Sequence, residues 1–195
     1  MRGLGGKPPV GPAHAQGKPA PVPKNPCTSL KDWLKVNEGG AREKVYLDSK
    51  KHPTVGIGHN MDQEGTKKLF KDLGIDYKAV KAGRATLSPQ QIDALYAHDV
   101  KAAESAARKV LGDRTYDGLN DARKTVVIDM AFNLGETKLA KFKDMIAALR
   151  NSDFEQAARE MKDSAWNKQT GYRSQSDIDS MRQGQLSSVR SGKRK

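Results

Sequence analysis

The chain has 195 residues, enough for one ordinary domain or two lobes sharing a helix, and enough to bury a real core. One cysteine, Cys27, excludes an intramolecular disulfide, and there is neither an 18-residue apolar run nor a signal-peptide core in MRGLGGKPPV. Of the net charge of +12, residues 1–28 carry +4 and residues 182–195 carry +5, so the intervening chain is only mildly basic and the ends favour polyanions.

Residues 1–28 hold seven of the nine prolines, five glycines and no acid, a composition that predicts a disordered basic extension. SLKD from Ser29 is a capping-box pattern. Leu30, Trp33 and Leu34 then form the apolar face of a short helix that ends near Glu38 and is stopped by Gly39 and Gly40. KVYL (residues 44–47) and TVGIG (residues 54–58) alternate as strands do, and residues 48–53 between them carry turn chemistry, so a β-hairpin is predicted. A short helix follows at about residues 66–73, closed by Gly74, and residues 75–87 read as irregular.

At Ser88 the pattern changes. Ser88 is an N-cap with Pro89 at the first helical position and Gln91 three residues on, and Gly112 closes the segment. Ile92, Leu95, Tyr96, Val100, Ala103 and Ala107 recur at helical spacing, predicting one long helix. Shorter helices follow at residues 114–119, 121–134 (capped by Asn120, stopped by Gly135), 139–149, 153–161 (capped by Ser152), 164–168 and 173–182. TVVIDMAFNL (residues 125–134) is the most apolar, so it should be the buried centre of the helical part. The predicted organisation is α+β and mainly helical: an extension (1–28), an N-terminal lobe carrying the hairpin (29–87), a connecting helix (88–111), a C-terminal helical lobe (112–181) and a basic tail (182–195).

Around the first helix end and the hairpin stand two carboxyl groups, Glu38 and Asp48, and the hydroxyl of Thr54. Two carboxyls across a cleft suit glycosidic bond cleavage: one gives a proton to the leaving oxygen, the other handles water or the developing cation. With 23 acidic residues in the chain, spacing by itself does not single this pair out. Metal chemistry finds no support, since His14, His52, His59 and His98 have no i,i+4 partner and no cysteine companions. No serine or cysteine nucleophile set is credible, and GIGHN lacks the following Lys and Ser/Thr of a phosphate loop.

The exact residues carry more. EGG-AREKVYLD-SKKHP-TVGIGH (residues 38–59), AFNLGET (131–137) and SAWNKQTGYR (164–173) resemble the phage-type lysozymes, glycoside hydrolase family 24, and the likeness covers roughly residues 29–181. The resemblance implies a lysozyme-like fold of two lobes joined by the long helix, with a cleft between them. It implies an endolysin or muramidase that hydrolyses the β-1,4 bond between N-acetylmuramic acid and N-acetylglucosamine in peptidoglycan, without a cofactor or metal. Glu38 would be the acid, Asp48 the ionised partner of a water, and Thr54 a holder of that water. Asp48 and Thr54 are six residues apart, as in the family, whereas Glu38 and Asp48 are ten apart rather than nine. The extra residue is expected to bulge at residues 39–41, where glycine tolerates an irregular turn. The resemblance also places Asn133, Trp166 and Arg173 at the cleft, Arg173 against Glu38, and pairs His59 with Asp99 as a structural ion pair.

Two rival readings stand beside this one. The first is a polyanion- or envelope-binding protein on a lysozyme-like scaffold, which loss of Glu38, Asp48 or Thr54 would have favoured. The second is a lytic transglycosylase, a class that typically dispenses with the second carboxylate. The expected partner is bacterial peptidoglycan, met by a monomer whose basic tails touch the anionic envelope, with no specific nucleic acid. The chain is expected to be held in the host cytoplasm before release onto the periplasmic wall.

Overall fold

The computed structural model describes residues 40–48, 50–170 and 172–187. The predicted extension, the predicted first helix with Glu38, and residues 188–195 of the basic tail lie outside the described residues. The fold is α+β and mostly helical, with one small antiparallel sheet of order β1 (Arg42–Leu47), β2 (Pro53–Gly56), β3 (His59–Asn60).

Tyr46 lies opposite Thr54 and Leu47 opposite Pro53, but the next paired residue on β1 is Arg42, opposite Gly56. Four residues on β1 therefore span two on β2, and the first strand bulges. The irregularity that is described thus falls within β1, further along than residues 39–41. Its cause is tertiary: the Leu87 N–H donates to the Glu43 carbonyl at 2.9 Å, and Val45 packs onto the core. Gly56 (φ 67°) and Gly58 (φ 77°) then turn the chain into β3, a strand the alternation in TVGIG does not resolve.

The helices are α1 (Thr66–Asp72), α2 (Tyr77–Lys81), α3 (Pro89–Leu111), α4 (Asp113–Asp117), α5 (Asp121–Leu134), α6 (Glu136–Leu139), α7 (Lys143–Arg150), α8 (Phe154–Asp163), α9 (Ala165–Thr170) and α10 (Tyr172–Gln183). The capping box at the start of α3 is complete: the Gln91 N–H donates to Ser88 Oγ at 3.2 Å and the Ser88 N–H to Gln91 Oε1 at 3.0 Å. Asn120 caps α5, and Gly135 (φ 75°) stops it, as local chemistry predicts. Three expectations change. Helix α2 occupies part of the segment expected to be irregular, because Asp76 accepts from the Ala79 N–H and caps one turn. The single helix expected at 139–149 is two, broken at residues 140–142 so that Leu139 and Met145 both point inward. Helix α8 is capped by Asp153, which accepts from the Gln156 N–H, whereas Ser152 adopts φ 56°.

Two buried clusters share the long helix. Val55, Ile57, Met61, Phe70, Val80 and Leu87 close on Ile92, Leu95 and Tyr96 of α3. Ala103, Ala107 and Leu111, further along α3, close on α5, α7, α8 and α10 through Val127, Met130, Met145, Met161 and Ile178. Completely buried side chains such as Phe70 contribute about 2–3 kcal/mol each. Phe132 packs against both clusters. Helix α5 is buried around most of its circumference, from Thr125 to Ala131, as expected for the centre of the second cluster.

Candidate active site

Where the two lobes face each other lies a cleft of about 1120 Å³. One wall is the hairpin, with Tyr46, Asp48, His52 and Thr54; the floor is α3, with His98, Asp99 and Ala102. The facing wall comes from the second lobe, with Phe132, Asn133, Lys138, Trp166 and Thr170. This volume accommodates an extended polar ligand.

Asp48 directly follows β1 and organises the turn after it. Its Oδ1 accepts from the backbone N–H of Lys50 and of His52, each at 2.8 Å, while its own N–H donates to the His52 carbonyl at 3.0 Å. This is the aspartate-centred turn that a short polar side chain builds. Lys51 sits at φ 64° to complete it. Burial opposes ionisation of Asp48. The two N–H groups, with the hydrogen bond and charge of the His52 ring, outweigh that and hold its pKa below the ordinary carboxylate value. Asp48 is therefore a carboxylate with one oxygen fixed to the backbone and the other, Oδ2, lying 3.4 Å from His52 Nδ1.

Thr54 is 3% exposed, and its hydroxyl donates to the His52 carbonyl at 3.1 Å. That bond uses the hydroxyl's proton, so toward the cleft Thr54 Oγ1 offers lone pairs. His52 is thus bound to both Asp48 and Thr54 through its backbone. The resemblance does not mark His52, and the turn-forming character of DSKKHP does not show it either. The usable signal was the aspartate-turn pattern, which aims the N–H groups two and four residues on at Asp48.

On the far wall, Asn133 donates from Nδ2 to the Asp129 carbonyl at 2.7 Å, leaving its carbonyl oxygen for the cleft. Trp166 combines two roles: it is 5% exposed, packs edge-on against Phe142 at 6.5 Å, and still lines the cleft. Its indole N–H is buried without an acceptor among the described residues. Arg173 belongs to the backbone of α10, and its side chain lies outside the described residues, as does Glu38.

His59 Nδ1 and Asp99 Oδ2 meet at 2.7 Å at the cleft floor, and His59 Nε2 lies 3.2 Å from Thr66 Oγ1. The resemblance pairs the first two and does not mark Thr66, which enters because the Gly65 turn starts α1 beside the histidine. It also misses Gln63, Glu64, His98 and Lys138 as cleft residues. Among the described residues no three His, Cys, Asp or Glu side chains come together to hold a metal. No helix there is long and apolar enough to cross a membrane.

Residues 36–183 match the phage lysozyme family. The chain is similar to probable T4-type lysozyme 2 of Dictyostelium discoideum, at 32% identity over 165 residues, spanning 82% of this chain and 96% of that protein. Probable T4-type lysozyme 1 of the same organism is 28% identical over 169 residues, 84% of this chain and 99% of the relative. The pre-baseplate central spike protein Gp5 of Enterobacteria phage T4 is 28% identical over 159 residues, 77% of this chain but 27% of that much longer protein.

Proposed function

The chain belongs to the phage lysozyme family, and from that premise we propose that it hydrolyses the β-1,4 bond between N-acetylmuramic acid and N-acetylglucosamine in peptidoglycan. At the coarser level it is a lysozyme-type glycoside hydrolase. Glu38 gives its proton to the glycosidic oxygen as the bond from that oxygen to the sugar C1 breaks. A water adds its oxygen to C1 from the opposite face and passes its proton to Asp48. This course inverts the configuration at C1 and places the two carboxyls roughly 6.5–9.5 Å apart.

The observation that carries this reading is the pairing of Asp48 and Thr54 on one cleft wall. Asp48 Oδ1 is occupied by two N–H groups, so Oδ2 is the oxygen left for chemistry. Thr54 Oγ1, its proton committed to His52, is a second acceptor. A water that donates a hydrogen bond to each turns a lone pair away from both, toward the substrate. A lytic transglycosylase needs no such water, so the Asp48–Thr54 arrangement favours hydrolysis.

The experiment is digestion of purified peptidoglycan followed by mass spectrometry of the muropeptides. Hydrolysis yields reducing ends that carry the added water, and Glu38→Gln removes the products while the folded chain persists. Anhydro-muramic ends, or full activity of a folded Glu38→Gln variant, contradict the mechanism. We propose further that the chain works as a monomer on the periplasmic wall.

A further inference from the structure

We propose that His52 is a positioning residue for Asp48, its imidazole keeping Asp48 Oδ2 ionised and aimed into the cleft in acid; this rests on the reading of Asp48 as the partner of the reacting water. Three facts carry it. His52 Nδ1 lies 3.4 Å from Asp48 Oδ2, the oxygen the turn does not use. The backbone of the same residue holds Asp48 Oδ1, Asp48 N–H and Thr54 Oγ1, so the ring is delivered to this place by the same turn that builds the site. The ring is about half exposed (47%), so it supports no core that would otherwise account for its position.

Other charged groups also line the cleft. Lys50 shares the turn, where its backbone N–H is what touches Asp48. Glu64 lies on the same lobe, His98 and Asp99 lie on α3 and contact each other at 3.3 Å, and Lys138 lies on the far wall. The His52 ring adds both a hydrogen bond and a charge that hold the Asp48 carboxyl ionised.

The consequence is directional. A histidine is charged in acid and largely neutral above the neutral range. A positive charge 3.4 Å from Asp48 Oδ2 favours the ionised carboxylate and so opposes its protonation as pH falls. The enzyme keeps its activity further into acid than the site would without His52.

The test compares the pH profiles of kcat/KM on solubilised peptidoglycan for the full-length parent, His52→Gln and His52→Lys. Each substitution leaves the backbone N–H and carbonyl of residue 52 in place, and circular dichroism reports that the fold is kept. The expected result, with each profile normalised to its own neutral plateau, is a changed acid limb for His52→Gln. In acid it declines at a higher pH than the parent, and His52→Lys restores the parent's acid limb. The difference shrinks in high salt, since the pair is exposed. Acid limbs that superimpose in all three proteins overturn the proposal, as does a loss that the lysine does not rescue. Failure of the parent to release muropeptides, or an active Asp48→Asn variant, would instead strike the underlying reading of the site.

Discussion

His59 and Asp99 clamp the last strand of the sheet onto the middle of the long helix, with Nδ1 2.7 Å from Oδ2 and side chains only 3% and 13% exposed. Burial on this scale makes the loss of one partner worse than the loss of both, because a lone polar group is left without water. His59→Asn and Asp99→Asn should each cost about 3 kcal/mol in chemical denaturation. The double variant should cost clearly less than the two added together. Additive costs would show that the two residues are not coupled.

Asp48 ties its own turn as well as the proposed water, so its substitution has two readouts. Its folded pKa is depressed, so the ionised group adds stability at pH values above its unfolded value. That contribution is lost as pH falls through the folded value. Asp48→Asn should lower Tm at neutral pH and make the decline of Tm in acid shallower than in the parent. Wall cleavage should fall by ~10²-fold or more, the size of a lost general base. A Tm-against-pH curve parallel to the parent's would rule out the stabilising role.

Ser88 begins the helix on which both buried clusters rest. Ser88→Ala removes the acceptor for the Gln91 N–H and half of the reciprocal cap, at a cost of about 1 kcal/mol. Ser88→Gly should cost only a few tenths of a kcal/mol, since glycine lets solvent reach the freed N–H. Urea denaturation of both variants measures it, and a Ser88→Ala value near zero would mean that the cap is redundant.

The elements legible in the sequence are those whose ends are set by local chemistry. Ser88 and Gly112 bound α3, and Asn120 and Gly135 bound α5, because caps and stops act within one turn of the chain. The bulge in β1, the two-residue β3 and the break between α6 and α7 depend on tertiary contacts such as the Leu87–Glu43 hydrogen bond and the inward packing of Leu139 and Met145. No periodicity over a few residues can report them. At the site, Asp48 and Thr54 could be picked out by their resemblance to a known pattern. His52 was not, because its backbone contacts are ones any residue could make and its ring reaches Asp48 Oδ2 only once the turn has formed. Thr66 and Lys138 reach the cleft from elements whose placement is a tertiary outcome.

Among the described residues, Phe132 is the side chain packed against both buried clusters, from α5 on one side of the cleft. The lobes are otherwise joined in the described residues chiefly through α3, which gives Leu95 to one cluster and Ala107 to the other. Truncating Phe132 therefore removes packing from both at once, whereas truncating Met145, buried in the second cluster, acts on that cluster alone. Phe132→Ala should cost about 2 kcal/mol, less than the 3–5 kcal/mol typical of a fully buried phenylalanine because this one is only partly buried. In native-state hydrogen exchange it should lower protection in both α1 and α7, while Met145→Ala should lower it mainly in α7 and its neighbours. Cleft geometry should loosen as well, since Phe132 stands beside Asn133 on the wall that faces Asp48. Exchange that changes in one lobe only after Phe132→Ala would show that α3, and not this side chain, carries the coupling between the lobes.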